Sequence, residues 1–536
     1  MAVGSSDQDH APEWRWALGW ALVILAASCL PYLVAWATTP PGYQFGGILV
    51  NPLDGNSYLA KMRQGWLGSW QFRLSYTPEP HSGAFIFLFY LALGHVARFS
   101  GLPLIAVFHA ARLLAGLALL LALYSFICRL TADRRERRLA YVLTGASAGL
   151  GALGVLLGTF PIDLWVPEAF AFFSLLANPH FPLGLALMLM LFGGVLWPAP
   201  GVRGWLVPGL AGLALAVVQP FALVPVYATV ALWNILRIAC CVVRKRWAEL
   251  RASSGVTVGS TASVFLFSAP VLVYDYRVYT ANPALAAWAA QNVTPAPTLT
   301  DLVLGLGVVG LLAVVGAAVV IHRRDGPGLA LLAWGGVTLL LVNLPFALQR
   351  RAITGVEVPL ALLAALGLAR WLMPRLPGLW ARRAAGLSLG LGLSGNVFLL
   401  LVLALGAVGQ QRPSELPGLL YLSRDEAAGM QWLLSHGPDQ VVLAAPRTGM
   451  LLPGYAGVRV FYGHPFETID APLKQLQAEA FLRGQLSAGE WRDVRQRFGV
   501  SYVFLGPAER QLGADRLGAE FEPVFQQGEV TIYRAL

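Results

Sequence analysis

The chain has 536 residues, of which 57% are hydrophobic and only 12% charged, with a formal net charge of +10. Soluble domains carry about 25% charged residues, and 536 residues exceed one soluble domain, so a single soluble globule is excluded. Residues 411–536 hold 12 Lys/Arg and 14 Asp/Glu, so the whole basic excess lies in residues 1–410. There it is scattered over short loops and forms no stripe, which argues against a nucleic-acid partner and for loops facing anionic membrane lipids.

The apolar residues come in blocks of about 20, long enough to cross a hydrocarbon layer about 30 Å thick. In chain order the expected spans are 15–37, 103–128, 139–160, 182–198, 204–222, 224–242, 255–275, 300–321, 328–347, 355–373 and 385–409. That makes about eleven transmembrane helices. Arg15 and the Ala35-x-Ala37 pattern around the first block resemble a signal peptide. The apolar run is longer than the 7–15 residues of a signal core, so it is expected to remain as a span. Cys29, Cys128, Cys240 and Cys241 lie within or at the ends of apolar blocks, which suits neither a disulfide framework nor a zinc site.

One further apolar block, 83–98, is 16 residues long. As a helix it would reach about 24 Å, short for a perpendicular crossing. With 83–98 on the surface and the N-terminus inside, the basic loop 129–138, Arg203, Arg244–Arg246, Arg323–Arg324 and the segment 370–383 are all cytoplasmic. That is the positive-inside arrangement. The C-terminus is then extracytoplasmic, and the outward loops are 38–102, 161–181, 276–299 and 348–354. No transporter-like internal repeat is visible.

Residues 411–536 read as a soluble α/β domain. Ser423 and Glu426 form a capping-box pattern before an amphipathic helix at 427–434. Strands are expected at 441–445, 458–462, 501–505 and 530–533, with helices at 471–483 and 488–498. No nucleophile–base spacing stands out in this domain, and a role in acceptor binding or in supporting the outward loops is expected for it.

The sharpest local signal is in the first outward loop. Asp54 starts a helical stretch, where free amides favour an ionised carboxylate, and Tyr58 follows one turn later. Ala60, Gly68 and Trp70 come next, then Glu79, Pro80 and His81 lead into 83–98. In this order of residues the chain resembles the GT-C integral-membrane glycosyltransferases that use polyprenyl-phosphate-linked sugars. It is similar to a bacterial form of the dolichyl-phosphate-mannose-protein mannosyltransferase type. The motif covers about 50 residues, and the architecture most of the chain. Many relatives carry a second acid directly after the first, where this chain has Gly55, and a Lys-Pro-Pro where it has Glu79-Pro80-His81.

The resemblance implies a GT-C-like membrane domain over 1–410 and an extracytoplasmic α/β domain over 411–536. It implies sugar transfer, with inversion, from a polyprenyl-phosphate donor to a lipid, glycan or protein acceptor on the outer face. Asp54 is then the general base, an effect worth about 10²–10⁴-fold. Tyr58, Glu79, His81, Asp163, Glu168, His180, Arg350 and Arg351 are the candidate substrate-binding residues. The outward Arg350–Arg351 pair suits a lipid phosphate, which arginine grips with two bonds. A divalent metal, Mg²⁺ or Mn²⁺, is left open, with Asp54, Asp163 and Glu168 as its ligands.

Blander readings stand beside these. Asp54 serves as a plain helix N-cap, Asp163 and Glu168 are exposed loop acids without a Lys or Arg in their own loop, His180 is interfacial, and the arginine pair anchors headgroups. Two other functions compete. One is a non-catalytic GT-C-like protein that binds a glycan or lipid. The other is a transporter or flippase, which the nearly uncharged spans disfavour apart from His109, Arg112 and Arg237.

Overall fold

The computed structural model describes residues 13–243, 245, 247–409, 418–438, 440–515 and 517–536, with backbone alone at 248–254. Arg244 and Arg246 of the expected basic run, and the expected boundary at 410/411, lie outside the described residues. Among the described residues eight helices are long and apolar enough to cross a membrane, and three shorter apolar helices, His180–Leu196, Arg203–Val218 and Gly326–Val342, accompany them. These segments coincide with the eleven expected spans to within a few residues at most boundaries. The protein is a multi-pass, mainly helical membrane protein.

By its internal contacts the chain forms two compact units. The first comprises 1–30, 111–273 and 294–402; the second comprises 31–110, 274–293 and 403–536.

In the first unit the third span is broken. A helix over Arg134–Ala146 stops, and a short one resumes over Gly151–Leu156. Open backbone at membrane depth must be satisfied by protein, and here it is. Ala148 N donates to Gly392 O at 2.6 Å, and Leu150 N to Leu304 O at 2.8 Å. The Asn396 side-chain amide reaches the carbonyls of Ala146 and Ser147 at 2.8 and 3.0 Å. Gly149 permits the close approach, because a Cβ there would fall 2.1 Å from Gly305 O.

Ion pairs in this unit tie together loops expected on one side. Glu13 pairs with Arg134 and Arg138, each at 2.6 Å. Arg370 pairs with Glu136 at 2.8 Å and with Asp325 at 2.6 Å. Glu13 and Arg134 therefore share a side. Between them stand two candidate spans, Trp14–Ala37 (α1) and Leu104–Leu130. An even number of crossings leaves no room for a third, so the block at 83–98 does not span. Its helix is shorter than expected, Leu88–Ser100 (α3), because 80–87 is mostly irregular.

The second unit is α/β. A five-stranded sheet has the order β4-β3-β5-β7-β6, with β3 at Val441–Leu443, β4 at Arg459–Val460, β5 at Val500–Leu505, β6 at Phe521–Gln527 and β7 at Val530–Ala535. β3 runs parallel to β4 and β5, and β7 runs antiparallel to β5 and β6. β6 and the helix Pro446–Ala456 were not expected. A second, two-stranded sheet joins β1 (Tyr43–Phe45) to β2 (Tyr421–Ser423). The Ser423–Glu426 capping box is present at the head of Arg424–His436.

The first loop belongs to this core. Ala60 and Tyr76 pack with Leu422, Val442, Met450 and Phe504 of the C-terminal segment. The loop helix Pro52–Trp66 (α2) crosses α3 at two glycines. A Cβ on Gly65 would lie 2.0 Å from Leu91 O, and one on Gly94 2.0 Å from Met62 O. Glycine at both positions lets the two backbones touch.

Candidate functional site

The N-terminus of α2 is built by Asn51, which sits in the left-handed region at φ 44°, with Pro52 at the first helical position. Asn51, not Asp54, is the cap, so the N-cap reading of Asp54 is corrected: Asp54 is the third residue of the helix. Its carboxylate accepts the Asn51 side-chain amide at 2.6 Å. Gly55 is held against Ile48, where a Cβ would come within 2.3 Å, so no second acid fits at that position.

Spacing on α2 puts Asp54, Ser57, Tyr58 and Lys61 on one face. Lys61 is buried at 1% exposure and pairs with Glu467 Oε1 at 2.9 Å. Ser57 Oγ donates to the same oxygen at 2.5 Å, and Lys61 donates to Ser57. The ammonium also lies over the rings of Phe87, Tyr58 and Phe72, at 4.6, 5.1 and 5.3 Å. Tyr58 stacks on Tyr90 of α3 with centroids 4.2 Å apart.

His464 completes the group. Its Nδ1 accepts the backbone N–H groups of Phe466 at 3.0 Å and Glu467 at 3.2 Å. In the neutral ring that places the proton on Nε2, which is buried without a hydrogen-bond partner. Burial lowers the His464 pKa, while the charges of Glu467 and Asp54 oppose the shift. Burial also works against ionised Glu467, but Lys61, His464 and Ser57 outweigh it and hold the carboxyl below the usual range. A buried polar group without a partner calls for an explanation. The sequence offers no sign of this pairing, because Lys61 and Glu467 lie 406 positions apart.

Glu79 and His81 are drawn into the loop itself. Glu79 pairs with Lys474 and accepts from Thr77. His81 Nδ1 donates to Glu79 O, and its Nε2 accepts from Leu74 N, both at 2.8 Å. The side of this loop opens into a cleft of about 470 Å³ lined by Pro80, His81, Ser82, Tyr274, Arg277 and Asn282, among others. Arg277 is exposed there. Among the described residues it makes no ion pair.

The remaining candidates belong to the first unit. Asp163 and Glu168 are buried, not exposed loop acids. Asp163 Oδ2 accepts from Gly149 N at 3.1 Å and Gly151 N at 3.0 Å, which pins the break in the third span. Burial pushes its pKa up to about 7 against the pull of those amides. Glu168 does have a cationic partner, Arg351, at 3.6 Å. Arg350 covers the Trp165 ring at 5.0 Å. His180 is buried, its ring 4.0 Å from that of Phe181. Among the described residues no group of three or more His, Cys, Asp or Glu side chains could hold a metal ion. Asp163 and Glu168 are already engaged by amides and an arginine.

At the level of sequence, no family model and no curated protein matches the chain. Solved structures do. ArnT from Cupriavidus metallidurans bound to undecaprenyl phosphate aligns over 96% of this chain and 98% of its own, at 13% identity and a TM-score of 0.51. The fold is GT-C. Two weaker likenesses accompany it. The oligosaccharyltransferase from Archaeoglobus fulgidus in its apo form gives a TM-score of 0.49 at 15% identity, over 92% of this chain and 70% of its own. The arabinofuranosyltransferase AftD from Mycobacteria gives 0.48 at 16% identity, over 96% of this chain and 41% of its own. In this GT-C frame the first loop, with Asp54, and the C-terminal segment, with Glu467 and His464 in the turn after β4, form one unit.

Proposed function

We propose that this protein is a membrane glycosyltransferase that transfers a sugar from a polyprenyl-phosphate-linked donor to a lipid, glycan or protein acceptor at the outer face of the membrane. The observation that carries the reading is Asp54, a carboxylate at a helix terminus, relieved of capping and set beside the buried Lys61–Glu467–His464 group. A GT-C likeness running the length of the chain supports it.

In this reading Asp54 removes the proton of an acceptor hydroxyl. The acceptor oxygen forms a bond to the anomeric carbon. The bond from that carbon to the phosphate oxygen breaks, and its electron pair leaves with the lipid phosphate. A single displacement inverts the anomeric centre. The leaving phosphate needs a positive group. Arg350 and Arg351 are occupied by Trp165 and Glu168, so the reading gives the phosphate to Arg277, in the cleft beside His81 and Ser82. Basic loops on the opposite side favour the outer face.

The test is transfer from synthetic polyprenyl-phosphate sugars by the full chain in liposomes, with binding of undecaprenyl phosphate measured separately. Arg277→Gln should weaken binding at least about tenfold, the scale of a charged hydrogen bond, and leave the melting temperature unchanged. Unchanged binding would move the phosphate elsewhere.

A further inference from the structure

In the described part of the C-terminal segment, nearly every large apolar side chain is covered. The exceptions are Phe466, Leu473, Leu476 and the terminal Leu536, at 54, 57, 67 and 58% exposure. Three of the four fall within eleven residues. Leu473 and Leu476 lie on one face of the helix Ala471–Leu482, whose opposite face (Ala471, Ala478, Leu482) packs into the sheet core. That helix is apolar on two sides and has a protein partner on one. Single exposed apolar residues are ordinary, but a cluster beside an otherwise closed surface marks a contact.

The position of the cluster says what it contacts. Gln291 donates its side-chain amide to Phe466 O at 3.0 Å and to Thr468 O at 2.8 Å. Gln291 ends the helix Pro283–Gln291, which follows the membrane helix Gly255–Ala281 after one residue. The nine residues of that helix rise about 14 Å. Phe466 therefore adjoins a helix end about 15 Å along the chain from the end of a span, about twice the depth of one polar layer of a bilayer, about 5–7 Å. The same unit holds the ends of three more spans, at Ala37, Leu104 and Gly409. Val293, two residues beyond Gln291, is also exposed at 57%.

We propose that Phe466, Leu473 and Leu476 enter the lipid interface, so that the C-terminal segment is a peripheral membrane-binding surface in its own right. Its partner is the bilayer, held through apolar contact in the manner of an amphipathic surface helix. The turn that carries His464 and Glu467 is thereby kept at the lipid surface. The inference does not depend on the glycosyltransferase reading and survives if that reading fails.

The experiment uses the full chain with Cys29, Cys128, Cys240 and Cys241 replaced by Ser. A nitrobenzoxadiazole probe is attached at Leu476→Cys, at Phe466→Cys or, for comparison, at Glu520→Cys, an exposed polar site of the same segment. Each protein is placed in phosphatidylcholine vesicles with and without a lipid bearing a nitroxide near the top of its acyl chain. The two apolar positions should be quenched at least about twofold more than Glu520, with blue-shifted emission, as expected for an interfacial helix. Quenching equal to that at Glu520 at both apolar positions would overturn the proposal. So would a blue shift that vanishes on diluting protein in lipid, which would mark a second copy as the cover.

Discussion

Lys61 of the first outward loop and Glu467 of the C-terminal segment form a buried ion pair at 2.9 Å, with side-chain exposures of 2% and 11%. Breaking a buried pair leaves one charge without a partner, typically at a cost of about 3–5 kcal/mol. Replacing both partners removes two desolvation penalties together. Lys61→Met and Glu467→Leu should therefore each lower the melting temperature sharply, and the two together should recover much of the loss. A double variant no more stable than the worse single would show that the pair is not coupled.

His81 sets a pH dependence. Its pKa is lowered, chiefly by burial and despite the bond to Glu79, and Nε2 needs its lone pair for Leu74 N. The folded state therefore prefers the neutral ring. That stability is complete above the ordinary histidine value, about 6.5, and is lost as pH falls from there through the depressed folded value. His464 acts in the same direction. Melting curves from pH 8 down to about 5 should fall more steeply for the wild type than for His81→Gln. Parallel curves would remove the assignment.

Gly65 and Gly94 hold α2 against α3. Alanine at either would place a methyl carbon 2.0 Å from a backbone oxygen that cannot rotate away. Overpacking of this kind costs about 1–3 kcal/mol or more. Gly65→Ala should lower the melting temperature, whereas Gly386→Ala, with open space around it, should not. Equal effects at the two positions would mean that the crossing is looser than the structure shows.

The spans were legible because hydrophobic length is a local property, and the Glu13–Arg138 and Arg370–Glu136 pairs join basic loops that were expected to share a side. The Ser423–Glu426 cap and the strands at 441 and 501 were legible for the same local reason. What escaped was non-local. Asn51 took the cap in a left-handed conformation that asparagine tolerates better than most residues, so Asp54 moved into the first turn. The third span looks continuous by hydropathy, yet it breaks around Gly149 because Leu304, Gly392 and Asn396 satisfy the open backbone from distant positions. Glu168 seemed unpaired in its own loop, and its arginine comes from residue 351. Lys61, Glu467 and His464 carry no motif at all. They become a group only when the first loop and the C-terminal sheet share a core.

The central claim is that Asp54 is the base of a sugar transfer. Asp54→Asn keeps the size of the side chain and cannot take the proton. Asn51 supplies the cap, so folding should be nearly unaffected. The deciding measurement is the turnover of Asp54→Asn beside the wild type, with a synthetic polyprenyl-phosphate sugar in liposomes and a thermal melt of each protein. The account predicts an unchanged melt and turnover lower by about 10²-fold or more. A folded Asp54→Asn protein that transfers sugar at the wild-type rate would contradict it.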